Sequence, residues 1–327
     1  MTQLLVFREH LQKLYQKYSW FLNPLFYFSI GMLVFSSINR MIGYQPALKH
    51  FYVELLLAAL GIIMPAGGMV VVAAVFIVIH IFYVSNILAV VMGLVFLLCY
   101  FAFVKFVPGH AYTILSVPVA CSLNLVYGIP IFMGLIATPL SILPVTIGLV
   151  IYYLLQAVIS VVSNSTDSSV NLYQAVLTQF TNNKEMYAML LVSAVVIVLV
   201  YLLRSQSWNY AFEISIVIGT LCNIILLLIT HLILDSGIGV LRLMVGSLFS
   251  GLIVWLIQFM RLALNYSGAE HVQFEDDEYY YYVKAVPKMN VAAPEKNVKR
   301  FNARRFSEYR KNAEAQEKDE ELPEKEL

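Results

Sequence analysis

Charged residues are scarce in this sequence, and most of them lie near its C-terminal end. Asp, Glu, Lys and Arg make up 13% of the 327 residues, against about a quarter in ordinary soluble domains. Lys105 is the single charged residue between Glu54 and Asp167. This excludes a water-soluble globular enzyme, a disordered chain and a nucleic-acid-binding module. With 60% apolar residues and a mean hydropathy of +0.76, the chain is predicted to be an all-α polytopic membrane protein in contact with the lipid bilayer.

Cysteine clusters and catalytic motifs are also lacking. The 3 cysteines, Cys99, Cys121 and Cys222, lie inside apolar segments without a CxxC spacing or a Cys/His cluster, so we interpret them as buried apolar residues. The sequence has no HExxH motif, no P-loop and no GxSxG motif. We therefore expect no enzyme activity, no catalytic residues, no metal and no cofactor. Without a phosphate-binding loop, any transport by this chain needs an external energy source.

Long apolar runs are abundant. A helix needs about 20 residues to cross a hydrocarbon core of about 30 Å. The runs that meet this length are residues 20–38, 87–106, 187–204, 210–234 and 241–264. The rest of the block 51–163 is apolar but interrupted by proline, which predicts short, broken helices at 51–65, 68–84, 111–126, 128–142 and 144–163. We expect about ten transmembrane helices, or eight if one broken pair is re-entrant.

Three regions follow from these patterns. Residues 1–19 are predicted to form an amphipathic cytoplasmic helix. Residues 20–264 form the transmembrane domain, with the block 51–163 of short helices and a three-helix scaffold at 187–264. Residues 265–327 form a charged cytoplasmic tail, which holds 11 of the 21 basic and 14 of the 20 acidic residues. The basic residues near both ends place the N- and C-termini in the cytoplasm.

Charged and polar residues inside membrane spans are candidates for function. Glu213 and Arg261 lie at matching depths in neighbouring antiparallel spans, which predicts an intramembrane ion pair with a structural or a functional role. His231 and Asp235 share a helix face, and Arg242 follows at a similar depth. We predict an outer-face polar cluster of these three residues, acting as an interfacial salt bridge or in proton coupling.

The segment 129–144 is the richest in helix-breaking residues. Unwound backbone at membrane depth is tolerated where it lines a cavity, as in many permeases. The candidate cavity-lining residues are Pro130, Gly134, Pro139, Pro144, Asn124 and Gln156. The alternative is the packing of short helices through small residues, with Asn124 and Gln156 bonding between helices.

The tail contains an acidic and tyrosine-rich segment. The predicted partner-binding residues are Glu275, Asp276, Asp277, Glu278, Tyr279, Tyr280, Tyr281 and Tyr282. Tyr and Val favour a strand, and an isolated strand must pair with another copy, with a soluble cytoplasmic protein or with the chain's own surface. The alternative is an irregular segment whose tyrosines lie at the membrane interface.

The stretch VQFEDDEYYYYVKAVPK at 272–288 resembles a signature of an uncharacterised family of integral membrane proteins from clostridia-like Gram-positive bacteria. Some members are labelled permeases. The resemblance implies a bacterial plasma membrane and carries no defined activity. The block 51–163 also resembles the small membrane subunits of vitamin importers, whereas a coupling-helix motif of ABC importer permeases is not found.

Two functions remain open from the sequence. The first is a permease-like membrane subunit that moves a small solute through a site in the block 51–163. The second is a non-transporting anchor or assembly factor for a cell-envelope complex, which acts through the tail. A polar-lined cavity in the block 51–163 would favour transport, and a solid apolar core would favour the anchor.

Overall fold

A computed structural model describes residues 2–164, 171–234, 239–261, 270–276, 278–286 and 288. In these residues the chain forms eleven α-helices and one short β-hairpin. The helices are α1 Thr2–Ile42, α2 Phe51–Ile63, α3 Ala66–Phe82, α4 Asn86–Cys99, α5 Ala111–Ser122, α6 Gly128–Ile136, α7 Ile142–Asn164, α8 Leu172–Thr181, α9 Lys184–Arg204, α10 Ala211–Leu234 and α11 Val240–Arg261. The strands are β1 Glu270–Glu275 and β2 Tyr280–Ala285. Residues 10–289 belong to one compact unit, which is described below; residues 2–9 belong to a second unit.

The predicted all-α membrane architecture is confirmed, whereas the predicted ten spans are not. Six helices are long and apolar enough to cross a membrane: Val6–Ile42, Asn86–Val104, Pro139–Asn164, Lys184–Arg204, Ala211–Leu234 and Val240–Arg261. Helices α2 and α3 are shorter apolar helices. Helices α5 and α6 have 12 and 9 residues, which gives them lengths of roughly 18 and 14 Å and leaves each too short to cross a core of about 30 Å.

Prolines mark the starts of helices more often than breaks inside them. Pro65 immediately precedes α3, and Pro139 opens a 3₁₀ turn before α7. Pro130 and Pro144 lie in the first turns of α6 and α7, where a missing N–H removes no intrahelical hydrogen bond. Only Pro118 lies inside one of the short helices of this block. The prediction of short helices is therefore right for α5 and α6 but wrong for residues 144–163, where α7 belongs to a segment long enough to cross a membrane. Pro130 and Pro144 begin helices and do not interrupt them.

Helix α1 bends close to the predicted boundary at residue 19. Tyr18 has non-helical φ/ψ angles of −113° and 20°, which divide the helix into two segments. The hydroxyl of Tyr15 donates to Asn23 Oδ1 at 2.7 Å across this bend. Leu11, Leu14 and Tyr15 of the first segment are exposed, as expected for an apolar face that is not buried within the protein.

Most of the core lies in two groups of helices, and a smaller third cluster joins α5, α6, α7 and α9. The first is formed by α1, α3, α4, α5 and α7, where Phe35 and Phe76 pack edge to face at 5.4 Å. The second is formed mainly by α6, α9, α10 and α11 around Ile131 and Val200. The predicted scaffold of the last three long helices therefore also holds the short helix α6.

The outer surface of these helices is strongly apolar. Leu232, Leu241 and Ile63 are 80%, 77% and 84% exposed, and similar side chains surround every long helix. A soluble monomer rarely exposes apolar patches of more than a few hundred Å². This surface is that of a membrane protein in contact with lipid.

The predicted strand at the tyrosine run is present, and its partner lies in the chain itself. Strand β2 pairs antiparallel with β1, with Phe274 opposite Tyr281 and Val272 opposite Val283. Lys284 Nζ donates to Asn209 Oδ1 at 2.7 Å, which joins the hairpin to the α9–α10 loop. Strand β1 was not predicted, because its residues Glu270–Glu275 mix charged and apolar side chains and lack a strong strand pattern.

Candidate functional site

Helices α5 and α6 form a helical hairpin whose tip is the turn 123–127. The arms stay in contact away from this turn, since Thr113 Oγ1 lies 3.9 Å from Met133 Sδ and Val117 packs in one cluster with Met133. The start of α5 therefore lies beside the second half of α6. The tip contacts α10 and α11, so non-helical backbone lies inside the helical bundle at this turn.

Asn124 at the tip adopts a left-handed conformation and contacts an arginine. Its φ angle is 59°, a region that non-glycine residues rarely adopt and Asn tolerates best. Arg242 Nη2, on the first turn of α11, donates to Asn124 Oδ1 at 2.6 Å. Both side chains are exposed, so this end of the tip is open.

The inner side of the tip is held by Asn223. Its Nδ2 donates to the backbone carbonyl of Tyr127 at 3.0 Å. Asn223 is 1% exposed and lies near the middle of α10. Asn223 thereby links the middle of α10 to the N-terminal end of α6.

Small residues bring the tip close to α11. A Cβ at Gly246 would lie 3.0 Å from Tyr127 Cε2, and one at Gly128 would lie 3.2 Å from Ser250 Cβ. The hydroxyls of Ser247 and Ser250 are buried beside these contacts, and within the described residues they have no hydrogen-bond partner. Buried hydroxyls without partners are uncommon, so the contact between the tip and α11 contains donors that the described residues do not satisfy.

Residues of the turn, of α10 and of α11 form one polar group at the tip. Gln156 lies apart from it in the hydrogen-bond pattern: its Nε2 donates to Tyr152 Oη at 3.2 Å within α7. We call Asn124, Tyr127, Asn223 and Arg242, with Ser247 and Ser250, the tip cluster. It combines a cation, an amide and hydroxyls at the end of a broken helix pair.

The structure brings Asn124 and Arg242 together, although the sequence analysis assigned them to different groups. His231 is half-buried on α10, and Asp235 lies outside the described residues. The predicted outer-face cluster of His231, Asp235 and Arg242 therefore stays a prediction. Arg242 has a contact of a different kind, with the tip of the hairpin.

The other residues predicted to line a cavity are packed against neighbouring parts of the protein. Gly134 faces α9, where an added Cβ would lie 2.7 Å from Val200 Cβ. Pro130 and Pro144 are buried, and Pro139 is half-buried. A cavity of about 550 Å³ does exist in this region, but none of the six predicted lining residues is among those that line it.

The predicted ion pair is also untested. Glu213 is half-buried and Arg261 is exposed. Glu213 Oε2 is buried without a hydrogen-bond partner in the described part of the chain. Their pairing stays a prediction.

Several polar contacts were missed by the sequence analysis. Arg204 at the end of α9 donates through Nη1 to the carbonyl of Leu135 and through Nη2 to that of Ala137, the latter at 2.8 Å. It thereby caps the C-terminal end of α6. In the sequence, Arg204 is a lone arginine at the end of an apolar helix, and this position does not indicate which residues it contacts.

A second missed group lies where α1 meets α2. Asn39 Nδ2 donates to Glu54 Oε1 at 2.7 Å and to the carbonyl of Leu48 at 3.1 Å. His80 is fully buried and accepts a hydrogen bond from the amide of Gln45 at Nδ1. Glu54 was expected only to complement the helix dipole, but its burial and its bond to Asn39 give it a structural partner.

The β-hairpin has a rigid turn. Asp276 Oδ1 accepts from the amides of Glu278 and Tyr279, and Oδ2 accepts from Tyr281 Oη at 2.8 Å. These hydrogen bonds hold the pKa of Asp276 below its ordinary value, and the bond from the Glu278 amide has the largest effect. The carboxylate of Asp276 in turn raises the pKa of Tyr281. Asp277 lies outside the described residues; Glu275, Asp276, Glu278 and Tyr279–Tyr282 are all exposed.

Searches for known relatives give no guide to this site. No family model matches the chain, and neither a curated protein nor a solved structure matches it. Among the described residues, no group of three or more His, Cys, Asp and Glu side chains could hold a metal ion. The assignment of function therefore depends on the geometry of the chain itself.

Proposed function

We propose that this chain is a permease-like integral membrane subunit that binds a small solute at the tip cluster. The observation that carries the proposal is the short hairpin of α5 and α6, whose non-helical tip meets α10 and α11 inside the bundle. Broken helices that end at membrane depth are a common way to build a solute site. The energy for transport would come from a gradient or from another subunit.

The chemistry of the tip cluster favours a solute with hydrogen-bond acceptors. Arg242 is exposed and offers further guanidinium donors beyond the one bonded to Asn124. Ser247 and Ser250 supply hydroxyls without partners among the described residues. A small carboxylate or carbonyl compound fits these donors, and Tyr127 supplies an aromatic wall.

The proposed arrangement has eight spans and one re-entrant pair: the six long helices, the shorter apolar helices α2 and α3, and the re-entrant pair α5 and α6. In this arrangement α5 and α6 enter the membrane and return to the same side, which is supported by the contact of Thr113, near the start of α5, with Met133 in α6. The distribution of basic residues supports cytoplasmic termini. The resemblance of residues 272–288 to a bacterial membrane-protein signature supports a plasma-membrane location.

The proposal is tested by ligand-dependent thermal stabilisation of the purified protein in mild detergent. A panel of amino acids, carboxylic acids, nucleobases and vitamins is screened for compounds that raise the melting temperature, because a ligand that binds the folded state stabilises it. We expect Arg242→Gln to abolish the shift. Arg40→Gln is the matched control, since Arg40 is an exposed arginine at the end of α1 and is not a member of the tip cluster. Equal shifts for the wild-type protein and Arg242→Gln would contradict the proposal.

A second function is favoured by the β-hairpin. Val272, Phe274, Tyr281 and Val283 share one face, and all are exposed. Phe274 and Tyr281 stack at 4.9 Å. This aromatic face supports the alternative of an anchor or assembly factor that binds a soluble cytoplasmic protein or another copy of the chain.

Deletion of residues 268–327 tests the alternative. The shortened chain should still insert in the membrane but lose proteins that co-purify with the intact chain. Phe274→Ser with Tyr281→Ser should have the same effect if the aromatic face binds the partner. Unchanged co-purification after both changes would reject the anchor function.

A further inference from the structure

A cavity lies among the helices of the first group and shares no lining residue with the tip cluster. It has a volume of about 550 Å³ and is formed by α1, α3, α4, α5 and α7. This volume is within the range of roughly 300–1,000 Å³ found for ligand pockets. Its lining is almost entirely aliphatic and aromatic, and Ser37 is a rare hydroxyl within it. An apolar lining of this kind suits a hydrocarbon and does not suit a polar solute.

The cavity opens on the lipid-facing surface. Val71 and Val75 on α3 line it and are 40% and 52% exposed; Leu97 and Phe101 on the other wall are 52% and 51% exposed. Its mouth is thus formed by side chains that also belong to the apolar outer surface. In a bilayer, the opening of the cavity therefore faces the acyl chains of the lipids.

One wall of the cavity departs from α-helical geometry. Residues Tyr100–Val104 continue α4 as a π-helix, and Tyr100, Phe101 and Val104 line the cavity. π-Helical turns are rare and often occur at functional sites. Here the change in geometry widens the turn that forms the end of the cavity next to Lys105.

Lys105 places a positive charge at this end. Its Nζ lies 5.5 Å from the centroid of the Phe101 ring, which itself lines the cavity. Lys105 is exposed and follows the last residue of the span Asn86–Val104, where a lysine reaches the headgroup layer. It is also the single charged residue between Glu54 and Asp167 in the sequence.

We propose that the cavity binds one acyl chain of an anionic phospholipid and that Lys105 pairs with the phosphate of its headgroup. The aliphatic lining takes the chain, the lipid-facing mouth admits it from the bilayer, and the cation at the end of the π-helix fixes the headgroup. This inference is independent of the proposed solute site, because no residue of the tip cluster lines the cavity.

The test uses vesicles that contain equal amounts of phosphatidylglycerol and phosphatidylcholine with identical chains. The full chain is reconstituted, extracted in mild detergent, delipidated by gel filtration and examined by native mass spectrometry. We expect one retained phospholipid per chain, with phosphatidylglycerol favoured. Lys105→Gln should keep the bound lipid but reduce this preference about five-fold, the effect of one cationic residue near a headgroup.

Blocking the cavity is the second arm. Gly93 lines the cavity, and a Cβ there would meet its nearest atom, in Val78, only at 4.0 Å, so Gly93→Phe has room to enter the space. Leu94→Phe is the matched control, because Leu94 is 57% exposed and is not a lining residue. Gly93→Phe should lose the retained lipid, and Leu94→Phe should keep it.

Ala74→Leu, on the facing wall of α3, repeats the block from the other side and covers the case in which Gly93→Phe does not fold. Monodisperse elution of each variant verifies folding. The proposal is overturned if the wild-type protein retains no phospholipid or if the blocked variants retain as much as Leu94→Phe. It is also overturned if Lys105→Gln leaves the preference for phosphatidylglycerol unchanged.

Discussion

Single polar residues decide how this apolar chain is held together. Asn223 illustrates this, because its buried side chain bonds to the carbonyl of Tyr127 and so joins α10 to the start of α6. Asn39 bonds in the same way to the carboxylate of Glu54. In both cases the partner is buried or half-buried, where an unmet hydrogen bond costs about 1–3 kcal/mol. The few polar side chains therefore have structural consequences out of proportion to their number.

At the residue scale, the stability of the turn of the β-hairpin should depend on pH. The pKa of Asp276 is lowered by its hydrogen bonds. Its contribution to the stability of the turn is therefore present above about pH 4, the ordinary pKa of Asp, and is lost as the pH falls through the lowered pKa. The pKa of Tyr281 is raised, so its contribution is present below about pH 10 and is lost as the pH rises through the raised pKa.

Hydrogen exchange of the Glu278 and Tyr279 amides in nanodiscs measures this dependence after correction for intrinsic rates. Their protection should be greatest between these limits and should fall outside them. Asp276→Asn should remove the loss of protection at acidic pH, and Tyr281→Phe should remove the loss of protection at alkaline pH. A protection profile without pH dependence in the wild-type protein would show that the turn does not depend on these bonds.

At the element scale, short helices persist here because longer helices satisfy their ends. Helix α6 has 9 residues, fewer than an isolated helix needs to be stable in water. Arg204 bonds to two carbonyls at its C-terminal end, and Asn223 bonds to the carbonyl just before its first residue. Gly134 lets α9 approach along its side. Helix α6 is thus an insert stabilised by α9 and α10.

Replacing Arg204 tests this dependence. Arg204→Met should lower the free energy of unfolding by about 3 kcal/mol, since two hydrogen bonds from a charged group are lost at about 1.5–3 kcal/mol each. Arg204→Lys should recover only part of this, because an ammonium does not reproduce the guanidinium fork.

Thermal and denaturant unfolding in detergent measure both variants. Arg40→Met provides the control at an exposed arginine at the end of another helix. A wild-type stability for Arg204→Met would show that the cap of α6 contributes little.

At the scale of the whole molecule, the bundle has two separate candidate sites. The tip cluster joins the turn between α5 and α6 to the last helices, and the apolar cavity lies among α1, α3, α4, α5 and α7. The cavity found is apolar, whereas the sequence analysis anticipated either a polar cavity or a solid core.

The re-entrant arrangement predicts an unusual depth for the tip. Tyr127 packs on Gly246, six residues beyond Val240 at the start of α11, which corresponds to about 9 Å along a helix. A spin label on Leu123→Cys should therefore lie deeper in a bilayer than one on Val240→Cys. Power saturation with oxygen and a water-soluble nickel chelate measures both depths in proteoliposomes. Equal depths would mean that α5 and α6 reach the surface as two separate spans.

The sequence alone determined the membrane class, the approximate helix boundaries and the strand at the tyrosine run. These properties depend on local composition and spacing: the scarcity of charge, the positions of Pro65 and Pro139, and the run Tyr279–Tyr282. Each is expressed within a few residues of the chain, so it is visible without knowledge of the fold.

Only the tertiary structure decided which polar residues meet. Arg242 bonds to Asn124 across 118 positions, and Arg204 reaches Leu135 across 69. A helix that is apolar on all sides has no amphipathic face to indicate its neighbours. The lipid-facing and protein-facing sides of α3 and α4 are equally apolar in sequence, so the cavity between them becomes apparent only when the helices are packed.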